Sequence, residues 1–424
     1  MEQFGKVSLF DMVLSLSDAI DLVSPIVNGH HKRVAYIASS IALELGLAEK
    51  KQRNLIIAGA LHDVGAFSLQ ERINALNFDL GPAAFKHAEI GYNLIGSFGP
   101  FKEVAEMIRY HHLDWAGGAG ESFEGDPVLI ESHILHLADR IDVLIENKVE
   151  ILEQSERIIT KINEEAGAKF IPQLVEVING LAVKESFWFD IDSPLLTRIL
   201  AERVKGDGDR LRLNFDDLYD LTKMFRQIID FRSQFTATHS RGVANSGRIL
   251  GELLEFSKQK CQMLEIAGYL HDLGKLAVPV EILNKPGKLT KKEFYQIKKH
   301  PFYTYRVLER IDGLKEINRW AAFHHEKLDG RGYPFRHQGQ QIPLGAKIIA
   351  VSDVFTAITE DRPYRQGMDK AQVIDILEDL VEDSALDLDI VTTLIENYNL
   401  INTARQKVQA QETKEYNQIW KQIN

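Results

Sequence analysis

Histidine and aspartate carry the chemistry of this chain, because one constellation of them is written twice. In the second half it runs His239, His271, Asp272, His300, His324, His325 and Asp353; in the first, His30, His62, Asp63, His87, His111, His112 and Asp139. The first two histidines stand 32 residues apart in both sets, and 24 residues separate His87 from His111 as they separate His300 from His324. Among the histidines only the middle interval differs, 25 residues against 29. With 14 histidines in 424 residues, a given position is His about once in thirty, too rarely for composition to place so many at matched offsets. The chain is an internal duplication.

Imidazole nitrogen and carboxylate oxygen together suit divalent transition metals such as Fe, Mn, Ni or Zn, and six or seven such ligands are too many for one ion. Two ions are the natural reading, with an aspartate flanked by histidines bridging them. Ions about 3.5–4 Å apart can share a hydroxide whose parent water has been acidified towards neutral pH, a nucleophile suited to phosphorus. A single helical histidine is more often structural or merely exposed; the inference rests on the set.

Holding so many ligands together needs a rigid frame, and the frame reads as helical. Apolar residues recur at helical spacing, as in Val243, Leu250, Leu253 and Leu254, while alternating strand patterns are scarce. Asn214 marks a helix start, followed by Asp216 and Asp217 and then by Leu218, Leu221, Phe225, Ile228 or Ile229 and Phe235 down one face. A boundary is expected between Glu185 and Asp209, where the aromatic run Phe187, Trp188, Phe189 precedes Gly206-Asp207-Gly208-Asp209. The repeat continues past the last aspartates, with related apolar patterns at Phe170–Leu181 and Leu386–Leu400 in which Val175 matches Val391. The expectation is an all-α chain of two tandem domains, residues 1–205 and 206–424, joined by a long helix.

Composition narrows the function further. A net charge of −11 argues against binding DNA or RNA polymers, whose backbones are held by clustered Lys and Arg. A small anion remains compatible, since Lys275, Lys285, Lys288, Lys298, Lys299, Arg331, Arg362 and Arg365 share segments with the second histidine set, although most of these lysines also fit a solvated face. No window reaches the apolar run of about 18 residues that a membrane helix needs, and the start lacks a secretory pattern. A cytoplasmic protein without membrane attachment is expected. Cys261 is the single cysteine, so no disulfide closes within the chain, and a buried helix position is its expected place.

The motifs of the second half are more specific. They read His239-Ser240-Arg241, His271-Asp272-Leu273-Gly274-Lys275, His300-Pro301, then His324-His325 through Asp329 to Gly332-Tyr333-Pro334, then Asp353 to Thr359, and Arg362-Pro363-Tyr364-Arg365. This set resembles the HD-GYP family, bacterial phosphodiesterases of the HD superfamily that hydrolyse cyclic dinucleotides, over about residues 230 to 400. The resemblance implies two HD-type helical domains and a metal set of His239, His271, Asp272, His300, His324, His325 and Asp353, with Asp272 bridging two divalent ions, Fe, Mn or Ni ahead of Zn. It places Lys275 beside the scissile phosphate and Arg362 and Arg365 on phosphate oxygens. Tyr333 falls in a loop that either shapes the rim of the substrate site or is a plain turn. Members thought to hold three ions carry Glu four residues before the first histidine; Phe235 stands there, which implies two. The implied reaction opens a 3′,5′ linkage of cyclic di-GMP or cyclic GMP-AMP, and the resemblance makes a homodimer plausible. The rival readings are a non-catalytic cyclic-nucleotide sensor and another HD-superfamily nucleotide phosphohydrolase.

The first half resembles a divergent HD domain. Ala66 replaces the lysine, Leu113-Asp114-Trp115-Ala116-Gly117-Gly118 follows His111-His112, and Arg140-Ile141-Asp142 follows Asp139 with no arginine pair beyond. It keeps a second candidate metal site, His30, His62, Asp63, His87, His111, His112 and Asp139, while losing the charge that would meet a phosphate. A regulatory or dimer-forming module is expected there, with a second hydrolase for a smaller phosphate ester as the alternative.

Overall fold

The computed structural model describes residues 7–24, 28–66, 68–79, 83–146, 148–204, 212–231, 238–285, 287–361 and 366–423. Among them the strands are two-residue pieces, such as Ser122–Phe123 paired antiparallel with Asp126–Pro127, and the remaining regular elements are helices. The chain divides into two compact units, Leu9–Arg212 and Leu213–Gln422, the second also taking in Val7 and Ser8. No helix among the described residues is long and apolar enough to cross a membrane.

In each unit two helices cross at the centre, His30–Glu44 with Glu49–Leu61 in the first and His239–Leu253 with Lys258–Leu270 in the second. Val34, Ile37, Ala38 and Ile41 are fully buried on one, as are Val243, Ala244 and Leu250 on its counterpart. Burying one large aliphatic side chain is worth roughly 1.5–3 kcal/mol, against about 1 kcal/mol for a capping bond. Neither His30–Glu44 nor His239–Leu253 has a side-chain cap at its start, so packing fixes both. Glycine permits the crossing. A Cβ on Gly59 would stand 2.5 Å from Ala35 Cα, and one on Gly268 2.5 Å from Ala244 Cα. The duplication is thus repeated in the backbone contacts as well as in the ligands.

Asn214 caps helix Phe215–Phe231, its Oδ1 accepting from Asp217 N at 2.8 Å. Leu218, Leu221, Phe225, Ile228 and Ile229 are buried along it, and the whole helix belongs to the second unit. Of the aromatic run that precedes the expected boundary, Phe187 and Trp188 are core of the first unit and Phe189 is exposed. Phe187 and Trp188 are buried in helix Glu185–Ile191, Phe187 lies 6.0 Å from the Tyr36 ring, and Asp190 accepts from the Tyr36 hydroxyl at 2.7 Å. Helix Leu196–Val204 is tied in by Arg203, which donates to Ser39 and Ser40. Gly206 to Asp209, Phe235, Arg362 and Arg365 lie outside the described residues. Val175 and Val391 are both buried, on helices Pro172–Ala182 and Leu388–Glu396. Cys261 is buried in helix Lys258–Leu270, its thiol donating to Phe256 O.

Candidate metal centres

Each unit gathers its seven ligand candidates from the ends of its central helices, the turns that follow them and the interiors of neighbouring helices. His30 and His239 open the helices that bear them, while His62 and His271 cap the ends of theirs. The turn after each His-Asp pair lies directly on the next ligand helix because Gly65 and Gly274 lack side chains. A Cβ there would come within 2.1 Å of His87 O and 2.0 Å of His300 O. His111-His112 and His324-His325 follow helices Lys102–Arg109 and Lys315–Ala322, and Asp139 and Asp353 project from helices Ile130–Val143 and Leu344–Thr359.

The rings are aimed by their own backbone. His62 Nδ1 meets Gly59 O at 2.9 Å, His111 Nδ1 meets Ile108 O at 2.6 Å, His271 Nδ1 meets Gly268 O at 2.7 Å, His300 Nδ1 meets Ile297 O at 2.8 Å and His324 Nδ1 meets Ala321 O at 2.6 Å. A carbonyl only accepts, so in each case Nδ1 carries a proton and Nε2 is the ring nitrogen turned to the centre. His30 and His239 are turned by carboxylates, Asp142 at 2.6 Å and Glu360 at 3.2 Å from Nδ1.

Potential ligand atoms then cluster in overlapping groups. In the first unit these are His30, His62 and Asp63, and Asp63, His87, His111 and His112; in the second, His239, His271 and Asp353, then His271, Asp272 and His324, then His300, His324 and His325. Asp63 faces both ways: Oδ2 lies 3.7 and 3.5 Å from His30 and His62 Nε2, and Oδ1 lies 3.1 and 3.9 Å from His87 and His111 Nε2. Asp272 does the same, with Oδ2 3.2 Å from His271 Nε2 and Oδ1 3.4 Å from His300 Nε2. One carboxylate oxygen per side is the arrangement a bridging ligand needs.

The donor sets fit cations. Nε2 of His300 faces Nε2 of His324 at 3.2 Å, and His30 faces His62 at the same distance. Two lone pairs so close repel unless a proton or metal ion lies among them. Asp63 Oδ1, His111 Nε2, His112 Nδ1 and His271 Nε2 are buried with no hydrogen-bond partner of good geometry, an expensive condition that a metal would relieve. Burial pushes His62 and His300 down to about 3 and His324 to about 4, which keeps these rings neutral. At Asp272 burial favours the neutral acid, but His271 and Lys275 hold its carboxyl well below the usual range. Neutral imidazole and ionised carboxylate are the states that bind metal. His30 and His239 differ. Burial lowers both, yet Asp142 and Asp63 around the first, and Glu360 and Asp353 around the second, raise them to about 10.

The cages differ at their edges. All seven ligand candidates of the first are 5% exposed or less, whereas in the second His325 is half-buried and the Asp353 side chain is 15% exposed. Lys275 stands at that opening, its Nζ 2.5 Å from Asp272 Oδ2 with 22% of its side chain exposed. Tyr333 lies 4.8 Å from the His325 ring and Lys298 Nζ 4.6 Å from the Tyr333 ring, so the Tyr333 loop walls the same side. Buried Glu326 shapes that loop by accepting from Phe335 N at 2.7 Å and His337 N at 3.0 Å. Gly332 is required in it, because a Cβ would meet Lys327 N at 2.4 Å. In the first cage Ala66 is fully buried in place of lysine, and fully buried Arg140 pairs with Asp139 while donating to Ala75 O at 2.8 Å.

Sequence reasoning missed Asp142, Glu360, Glu326 and the role of Arg140. Asp142 carried a faint signal, falling one helical turn after Asp139; Glu360 and Glu326 carried none beyond adjacency to motifs.

Two family models match the chain, both described as HD domains, over residues 27–144 and 223–390. The 3′3′-cGAMP-specific phosphodiesterase 1 of Vibrio cholerae is 29% identical over 400 residues, covering 92% of each chain. A cyclic di-GMP phosphodiesterase of Pseudomonas aeruginosa is 42% identical over 144 residues, 33% of this chain and 34% of its own. Among solved structures, a cyclic GMP-AMP specific phosphodiesterase of V. cholerae superposes with a TM-score of 0.64 at 26% identity, covering 93% of this chain and 98% of the other.

Proposed function

We infer the function from the family: the chain belongs to the HD-GYP-type phosphodiesterases of the HD superfamily, with two HD domains in tandem. It is a metal-dependent hydrolase that opens a 3′,5′ linkage of a cyclic dinucleotide to give a linear one, and 3′3′-cyclic GMP-AMP is the favoured substrate. The observation that carries the activity is the second cage, where a two-sided aspartate and converging imidazoles lie beside an opening edged by Lys275. The substrate preference rests on coverage. The cGAMP-specific relative and the structural neighbour match both units, while the cyclic di-GMP phosphodiesterase matches about a third of the chain.

Divalent ions held by His239, His271, Asp272, His300, His324, His325 and Asp353 would supply Lewis acidity towards a phosphoryl oxygen and acidify water. Fe, Mn or Ni is favoured over Zn on the family pattern alone, since imidazole and carboxylate ligands accept all four. The protein's own contribution is orientation and charge. Five Nδ1–H groups on backbone carbonyls across the two cages stop the rings from turning, and Asp272 offers one oxygen to each side. Lys275 exchanges its contact with Asp272 for a phosphate oxygen and offsets the charge that grows as water oxygen joins phosphorus. The bond from phosphorus to the bridging ester oxygen breaks, and that oxygen takes up a proton to balance the one the attacking water gives up. Tyr333 forms the wall against which the substrate rests, and Arg362 and Arg365 are carried over as phosphate contacts from the family pattern. The first unit serves a regulatory or dimer-forming role around its own enclosed cage, and the substrate class places the enzyme in the cytoplasm.

The test is turnover of 3′3′-cyclic GMP-AMP and cyclic di-GMP side by side with Mn²⁺ or Fe²⁺, followed by chromatography. Faster loss of the mixed dinucleotide, abolished by His271→Ala/Asp272→Ala, is the expected result. Equal or reversed rates would overturn the preference. No turnover of either by a metal-loaded chain would overturn the activity and favour a sensor.

A further inference from the structure

The second cage is braced from beyond the matched family segment. That segment ends at residue 390, yet helix Tyr398–Ile423 sends three buried polar side chains, Arg405, Gln409 and Glu412, towards the start of the His239 helix. They lie four and three residues apart and so share one helix face. Gln409 Nε2 donates to Thr238 O and to Glu360 Oε2, both at 3.2 Å, and Glu360 is the carboxylate on His239 Nδ1. Gln409 Oε1 accepts from Arg405 Nη1, and Arg405 Nη2 donates to Thr359 O at 3.2 Å, at the end of the helix that carries Asp353. Glu412 pairs with Arg226 at 2.8 Å and with Arg241, two residues after His239. Close approach is built in, since a Cβ on Gly242 would stand 2.9 Å from Gln409 Nε2.

These bonds join the helix that begins at His239 to the helix that bears Asp353, whose side chains meet at 2.9 Å. The first unit solves the same problem locally: Asp142, on the Asp139 helix, holds His30 Nδ1 and also pairs with Arg33 on the His30 helix. We propose that Arg405, Gln409 and Glu412 are positioning residues for His239, so that the terminal helix sets metal affinity on the His239–Asp353 side of the second cage. Gln409 acts through Glu360 and touches no candidate ligand itself. Loss of such outer contacts weakens a metal site by about 10- to 100-fold.

This inference rests on the metal-centre reading above, and its test reads metal binding rather than turnover. Mn²⁺ is titrated into the full-length chain against a chromophoric chelator, for wild type and for Gln409→Met, which keeps the volume and removes the hydrogen bonds. The expected result is about a 10- to 100-fold weakening of one class of bound ion, with the others unchanged, the helical circular dichroism of the metal-free chain retained, and hydrolysis recovered by excess Mn²⁺. Arg405→Lys, which keeps the charge but breaks the fork, should weaken the same class less and stands in should Gln409→Met fold poorly. Isotherms that superimpose on wild type for both variants overturn the inference while leaving the metal-centre reading intact. A wild-type chain that binds no Mn²⁺ removes both.

Discussion

In the first cage Asp139 is committed to Arg140, a guanidinium with no exposed surface; in the second the residue after Asp353 is Val354, and Asp353 keeps an edge towards solvent. Where one cage has Ala66 packed into the fold, the other has Lys275 at an opening. The donor sets themselves remain alike, down to the glycines that let the helices cross. A duplicated frame has therefore preserved what could hold metal and diverged in what would meet a phosphate. The two properties separate because ligand aim comes from helix ends and backbone carbonyls, whereas the edge depends on a few side chains that can change without disturbing the crossing.

The largest expected contrast comes from emptying each cage in turn. His271→Ala/Asp272→Ala should abolish hydrolysis, while His62→Ala/Asp63→Ala should cost less than about tenfold and instead lower the melting temperature by several degrees, since removing a bound ligand removes its linkage to stability. Equal loss of turnover in both would make the first cage catalytic and end the division of labour.

Lys275→Ala comes next. Removing one group that stabilises developing charge typically costs about 10²- to 10³-fold in rate, so kcat should fall by that amount with metal content unchanged. If metal content falls instead, the contact of Lys275 with Asp272 matters to the cage rather than to the substrate.

Enclosure can be read from metal release. With excess chelator, ions should leave in two phases, the faster from the cage with exposed edges. Arg140→Ala should speed the slower phase by about tenfold, an order-of-magnitude expectation for opening a site closed by one buried cation. A single phase in wild type would mean that the static difference in exposure does not govern escape.

Much of this was legible beforehand because metal ligation fixes both residue type and interval. The histidines could be paired by their offsets, the full ligand sets came with the family resemblance, and the helical frame followed from apolar spacing and Asn214. The outer contacts were not legible. Asp142 and Glu360 do the same work from different places, one turn along the Asp139 helix and one residue past the Asp353 helix, so the duplication gives no offset to find them by. Gln409 lies far along the chain from His239, and only the path of the terminal helix brings them together. The aromatic run Phe187 to Phe189 pointed to the region just before the division at Arg212, but nothing in its sequence told that Phe187 packs on Tyr36 in the core of the first unit.

The smallest effect concerns a second pairing that the duplication altered. Asp21 pairs with His31 ten residues later, and Asp230 accepts from Ser240 at 2.7 Å across the same interval, so a hydroxyl replaces the imidazole. Burial, only partly offset by Arg226, raises Asp230 to about 7, and nearby Glu412 adds to the rise. A carboxyl with a folded-state value above its unfolded value of about 3.9 contributes stability that is fully present below that lower value and is lost as pH rises to about 7. Each unit of pH inside the window is worth about 1.4 kcal/mol for one group, so between pH 5 and pH 7 wild type should lose roughly 2 kcal/mol that Asp230→Asn does not. In a unit of this size 1 kcal/mol corresponds to about 2–4 °C. The melting temperature of Asp230→Asn should therefore gain several degrees on wild type between pH 5 and pH 7 and gain nothing further by pH 8. A gap that stays constant from pH 5 to pH 8 would mean that Asp230 is already ionised at pH 5, with Arg226 rather than burial deciding its charge.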